Sequence, residues 1–488
     1  MSGVIVLLPV FLFFAAILGI AVAVQKKAKK QDFINEYFIG GRRLGGFVLA
    51  MTLVATYSSV SSFSGGPGLA WQIGFGWVYY ASIQVVTMFL VLGVLGKKIA
   101  IVGRKINAVT VIDIIRFRYG SEALANLSAL ITVVFFAATI TAQFIGGANL
   151  FAAAAGISYG KGLALFALVV AASTAIGGFR GVAITDTLCA LVMLLGIGVL
   201  TAALLNSGGG IEKIMEKISR QPELLEPTGG GKLPVPFLIS QWLLCGFCTM
   251  GLPQSLVRNL GYRDSKSLHR AMIYGTVVIG AMMIGMHLIG VLARAVITEI
   301  PAGKTTDAII PELIVHILPP ALAGIAIIGP IAASMSTVSS LLIASSSAII
   351  KDIWLSIRIR KHPYSASPAK TDAGSMLITF TIGLVCFAAA LKPPSLIVWI
   401  NLFSFGGLQS AFFWTFILGL FWKKANAPGA FLGMAGGAAV YCVCMVFKFT
   451  PGGMHQIVPG IVSSLVFFAA GSLAGKPPSK QVMDVFFP

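Results

Sequence analysis

Charge is what this chain has least of. Only 10% of its 488 residues are Asp, Glu, Lys or Arg, where soluble globular chains run near a quarter. With 57% of the residues hydrophobic, that scarcity excludes a soluble domain and leaves an integral membrane protein. Acid is scarcer than base, with 16 Asp and Glu against 35 Lys and Arg and a formal net charge of +19. Cysteine is sparse as well. Cys189, Cys245, Cys248, Cys386, Cys442 and Cys444 all lie in or beside apolar runs, so none is placed for an extracellular disulfide framework. Cys245 and Cys248 have redox-motif spacing, but inside an apolar run they read as two small apolar side chains. There is no HExxH, no GxSxG in a strand–helix context and no Walker sequence, so nothing proposes hydrolysis or ATP drive.

Carboxylates are missing from the middle of the apolar runs. Asp186 lies at the edge of one, and no Asp or Glu is central. Proton-driven carriers usually hold a carboxylate relay at mid-membrane, so this absence argues against proton coupling through Asp or Glu. His287, in IGMHLIG, is the one titratable side chain deep in a run, and it reads as a hydrogen-bonded packing residue.

What is present is a series of thirteen apolar segments, each long enough for the roughly 30 Å hydrocarbon layer. They lie near 3–24, 44–66, 72–96, 122–152, 160–178, 184–207, 235–257, 270–298, 319–349, 374–391, 395–421, 427–447 and 455–474. The first has no basic residue before it and a Lys cluster after it (Lys26, Lys27, Lys29, Lys30), the reverse of a cleaved signal peptide. With the N-terminus outside and the C-terminus inside, 26 of the 35 Lys and Arg fall on inside segments and 9 outside, as the positive-inside rule requires. The basic excess therefore records topology, and nucleic acid is not an expected partner.

The second segment carries a conflict. In ATYSSVSSFSGGPG (55–68), five serines occupy seven positions and Gly65, Gly66, Pro67 and Gly68 follow. Lipid offers no hydrogen bonds, so freed backbone is tolerated only against protein or a cavity. The glycines and proline are expected to end or unwind the helix there, in the manner of transporters whose broken helices present carbonyls to a cation. An inverted repeat places a second broken helix five spans later, and the seventh segment supplies Gly246, Gly251 and Pro253. The ninth, GPIAASMSTVSSLLIASSS, sets Ala333, Ser336, Thr337 and Ser340 on one helical stripe. Such small residues also ease helix packing. Neutral oxygens from the broken second segment and from this stripe suit a monovalent cation such as sodium.

These residues carry a resemblance over nearly the whole chain. NEYFIGGRRLGGFVLAMTLVATYSS, STAIGGFRGVAITD, GLPQSLVRNLGYRDSKSLHR, MSTVSS and LGLFWKKANAPGA resemble the sodium/solute symporter family. SFSGGPGLAW, TAQFIGGANLF, GMHLIGVLARAVI and LFSFGGLQSAFFW are most similar to its pantothenate-importing members. The resemblance implies an all-α leucine-transporter-type fold of 13 transmembrane helices, built as a 5+5 inverted repeat with one added span before and two after. Its parts are then an extra span and basic linker at 1–43, repeats at 44–207 and 235–421, an external loop at 208–234 and two peripheral spans within 422–488. It also implies multi-pass insertion in the plasma (inner) membrane of a prokaryote, and no cofactor beyond sodium as the coupling ion.

For the ion, the resemblance matches the backbone carbonyls of Ala55, Ser58 and Ala333 and the hydroxyls of Ser336 and Thr337. Where the similar proline symporters carry an aspartate just after the first carbonyl position, this chain has Tyr57. Solute contacts are expected from Ser59, Ser62, Gln84, Thr139, Gln143, Trp242, Thr249 and Asn401, although each also fits helix–helix contact and Trp242 serves equally as an interfacial anchor. No Arg is evident at depth. Asp113, Arg116 and Arg118 read as a salt-linked amphipathic helix in an inside loop. Gly429, Gly433 and Gly437 make a small face for helix packing or for an oligomer contact. The function implied is sodium-coupled import of pantothenate by alternating access. A short monocarboxylate or proline on the same fold is the alternative. A solute sensor is less favoured, because only 14 residues follow the last segment.

Overall fold

Local residues set where the helices begin. Thr110 and Asp113 form a reciprocal capping box at the start of Val111–Tyr119. Ser121, Asp264 and Asn426 each accept a backbone N–H at the first turn of Glu122–Ala155, Ser265–Ala293 and Ala427–Val446. The computed structural model describes residues 2–27, 33–300, 304–355, 368–392 and 397–488. Among them the chain is helical, and the one isolated β-bridge joins Leu44 to Tyr262. Among the described residues ten helices are long and apolar enough to cross a membrane, and up to twelve if each of two bent pairs is one span.

Both expected breaks are present. Gly46–Tyr57 and Ser61–Ile73 meet at 69°, and Val235–Gly251 and Pro253–Gly261 meet at 49°. The first break is not where the sequence placed it. Ser58 is extended (φ −75°, ψ 109°) and the chain resumes as a π-helical turn at Ser61–Gly65, followed by α-helix over Gly66–Ile73. Pro67 lies near the start of the α-helical stretch. Gly66–Gly68 thus lie within the second half and do not interrupt the first, and the span runs to Ile73 rather than 66. The second pair is interrupted at Gly246 and again at Leu252 ahead of Pro253, as expected.

The expected segments 160–178 and 184–207 lie in Tyr159–Gly208, where two helices meet across a kink at Gly178 with φ 56°, a value that favours glycine. The 208–234 loop contains a helix, Ile211–Ser219, with Ile214 and Ile218 buried. Burial identifies the centre of the bundle: 83% of the apolar window in Pro320–Leu355 is buried, against 28% in Ile5–Lys26 and in Ala373–Ala390. The hydroxyl-rich stripe therefore faces protein and not lipid. Gly429, Gly433 and Gly437 are consumed by packing inside the chain, against Gly471, Phe468 and Ser464, which leaves no small face for an oligomer there.

Candidate ion and solute site

Unwinding at Ser58–Val60 frees backbone groups, and side chains from other helices meet several of them. The N–H of Val60 donates to Oε1 of Gln143 at 2.9 Å. Ser336 Oγ lies 2.9 Å from the carbonyl of Ala55 and 3.2 Å from that of Ala333. Thr337 Oγ1 lies 3.0, 3.2 and 3.4 Å from the carbonyls of Ala333, Ser58 and Thr56, and each hydroxyl donates its one proton within its group. All five oxygens expected to hold the ion thus converge, and Ala55, Ser58, Ala333, Ser336 and Thr337 are all buried. The donor set is neutral oxygen throughout, which fits a hard monovalent cation.

Ser340, next along the stripe, serves a different group. Its hydroxyl lies 2.8 Å from Thr56 Oγ1, accepts from Arg258 Nη2 at 2.5 Å and lies 3.4 Å from Asp186 Oδ2. Asp186 accepts from Thr52 at 2.6 Å and faces Arg258 at 3.6 Å, both side chains about 1% exposed. Sequence reading set Asp186 at a span edge and Arg258 in an inside loop. Instead, Arg258 lies within the second half of the broken helix, Pro253–Gly261, which continues past the expected boundary at 257, and the two charges neutralise each other within the protein. A buried pair is tolerable when neighbouring groups satisfy its hydrogen bonding; Thr52, Ser340 and the carbonyl of Gln254 supply most of it, while Asp186 Oδ1 and Arg258 Nε have no hydrogen-bond partner among the described residues.

The second break is satisfied likewise. Gln409 donates to the carbonyl of Leu244 at 2.8 Å, Tyr57 to that of Cys245 at 2.6 Å and Thr249 to that of Gly246 at 2.5 Å. Beside the two breaks lies a small cavity. Of the expected solute residues, Ser59, Ser62, Gln84 and Asn401 line it. Tyr57, Trp77, Tyr80 and Phe405 form an aromatic wall, and Ser61 and His287 complete the polar lining.

Four expected solute residues are not brought to this cavity. Gln143 holds the first break, Thr249 caps the second, and Thr139 bonds the carbonyl of Phe135 at 3.3 Å. Trp242 packs edge-on against Tyr79, with ring centroids 4.8 Å apart. Within residues 55–62, around the break, Ala55 and Ser58 serve the oxygen cage while Tyr57, Ser59, Ser61 and Ser62 face the cavity. Ion and solute positions are therefore built on the same few residues.

The profile of the Sodium:solute symporter family matches residues 37–437. The chain belongs to that family. Its members are symporters, so the chain is a transporter and not an enzyme. It is 42% identical over 473 residues to the Sodium/pantothenate symporter of Haemophilus influenzae and 43% identical over 472 residues to that of Escherichia coli, covering 96% of both chains in each case. Among solved structures, a Na+-coupled sialic acid symporter in a substrate-bound outward-open state superposes with a TM-score of 0.81 at 22% identity, covering 98% of each chain. That likeness shows the fold, which is of the leucine-transporter type.

Proposed function

We propose that the chain is a sodium-coupled importer of pantothenate, working by alternating access in the inner membrane of a prokaryote. The observation that carries the solute is the likeness at 42% and 43% identity, over 96% of the chain, to two proteins that bear pantothenate in their names. In support, the cavity offers hydroxyls, amides and an aromatic wall. Pantothenate has two hydroxyls, an amide and a carboxylate on a branched apolar body. Sodium occupies the cage of Ala55, Ser58, Ala333, Ser336 and Thr337, and the solute lies against Ser59, Ser62, Gln84 and Asn401.

The proposed topology has thirteen spans, N-terminus outside and C-terminus inside. Tyr159–Gly208 counts twice, because it is two helices joined across the kink at Gly178, and at about 1.5 Å per residue each is close to or longer than the roughly 30 Å hydrocarbon layer. Two five-helix repeats, 44–207 and 235–421, each open with a broken helix. Uptake into proteoliposomes of labelled pantothenate, lactate and proline, with and without a sodium gradient, tests the reading. Sodium-dependent uptake of pantothenate alone is expected. Uptake of lactate or proline in its place would overturn the choice of solute, and uptake indifferent to sodium would overturn the coupling.

A further inference from the structure

His287 fits the expected packing role only in part, because its ring also lines the solute cavity. It stands on the helix Ser265–Ala293, which crosses the first broken helix, and it is 2% exposed. Its Nδ1 lies 2.6 Å from the carbonyl of Met283, one turn back on the same helix. A carbonyl only accepts, so Nδ1 carries the proton and donates. A neutral imidazole has a single N–H, which leaves Nε2 as an acceptor with a free lone pair.

Gly66 explains what that lone pair faces. Its backbone is ordinary helix (φ −62°, ψ −49°), which alanine adopts without strain. Yet a Cβ built there would stand 2.3 Å from Nε2 of His287. Glycine is thus demanded by the ring and not by the backbone, and it keeps the nitrogen uncovered beside the cavity. Of the other polar groups of the lining, Trp77 Nε1 has no hydrogen-bond partner among the described residues but only donates, so it cannot take a solute O–H or N–H. Tyr57 and Tyr80 spend their hydroxyls on Cys245, at 2.6 and 2.8 Å. Ser61 Oγ and Asn401 Oδ1 have no hydrogen-bond partner among the described residues, but a hydroxyl rotates and an amide offers its NH2 beside its oxygen.

We propose that Nε2 of His287 is the acceptor that reads a hydroxyl or amide N–H of the transported solute, with Gly66 holding the space open for it. This rests on the solute reading above, and it makes His287 a specificity residue for hydroxy- or amido-carboxylates over carboxylates of the same size without a donor. A site built to bond a donor rejects the analogue lacking it, because the buried lone pair is left stranded.

The test uses the full chain in proteoliposomes, with labelled pantothenate competed by pantothenate, its two monodeoxy analogues and its N-methyl amide. In the wild type, one of the three analogues is expected to compete about tenfold or more weakly than pantothenate. His287→Phe keeps a flat ring and removes the acceptor, so pantothenate should weaken to the level of that analogue while the analogue itself is unchanged. His287→Gln, which retains an acceptor oxygen, should keep part of the preference. Equal weakening of pantothenate and all three analogues in His287→Phe, or no change in any, would overturn the proposal. Gly66→Ala supplies a second arm should His287→Phe fail to insert. It should weaken pantothenate, and adding His287→Ala should restore insertion and uptake without the preference. Wild-type affinity and preference in Gly66→Ala would overturn the proposal equally. A wild-type protein that carries no pantothenate fails in a different arm, and it overturns the solute reading and this inference together.

Discussion

The hydroxyl of Tyr57 donates to the carbonyl of Cys245 at 2.6 Å and so ties the break in one broken helix to the break in the other. The bond crosses between the two halves of the chain and forms one side of the cavity wall.

Tyr57→Phe removes that bond and leaves a buried carbonyl without its donor. Stability is expected to fall by about 1–3 kcal/mol, the usual consequence of stranding a buried polar group. Thermal unfolding of the purified protein in detergent checks this. An unchanged midpoint would mean that the breaks are not held together by this contact.

Ser336→Ala and Thr337→Ala each remove one oxygen from the proposed sodium cage. Each is expected to weaken sodium binding by about 1–3 kcal/mol, which raises the sodium concentration for half-maximal uptake about fivefold to over a hundredfold. Membrane insertion should be retained. Unchanged sodium dependence in both variants would remove the hydroxyl stripe from the ion site.

Arg258→Leu leaves the Asp186 carboxylate buried without its countercharge, and breaking such a pair is expected to destabilise by about 3–5 kcal/mol. The double variant Asp186→Asn/Arg258→Leu should recover much of that loss, since no unpaired charge remains. Melting temperatures of the two variants in the same detergent decide it. A double variant no more stable than Arg258→Leu would show that the pair matters for something other than charge balance.

One sodium cage and a monoanionic solute lead to electroneutral transport. One sodium moving with one pantothenate carries no net charge, so accumulation is limited to about the sodium ratio, roughly tenfold for a gradient of about 1.4 kcal/mol. A second sodium would add another gradient increment and about 2.3 kcal/mol per 100 mV, allowing a few-thousandfold accumulation. No solute-evoked current is expected on a supported membrane. A sodium-dependent inward positive current on adding pantothenate would refute one-to-one coupling.

The sequence made the spans legible because apolar runs and basic loops are local properties. The stripe of Ser336 and Thr337 and a break beside the serines of 58–64 were legible too, whereas the carbonyls of Ala55, Ser58 and Ala333 came from the family resemblance. The position of the break was not legible. Gly65–Gly68 look like breakers, but unwinding at Ser58–Val60 is held by Gln143, Ser336 and Thr337, far off in sequence. Arg258 was read as a loop residue because hydropathy falls where its helix continues, and its countercharge lies on another helix altogether. His287 shows the same limit. Its spacing says core, and only its approach to Gly66 reveals the cavity.

The short bridge at Leu44 has a mechanical consequence. Its N–H donates to the carbonyl of Gly261 at 3.1 Å and its carbonyl accepts from Arg263 at 3.0 Å, so the start of one broken helix is riveted to the end of the other. A rocking motion that spares this rivet can only turn the two helices about it. Displacement then grows with distance from Leu44 and is greatest at the opposite tips, Ile73 and Val235. The breaks at Ser58 and Gly246 lie partway along these levers, where a modest rotation reshapes the cavity without pulling the pair apart.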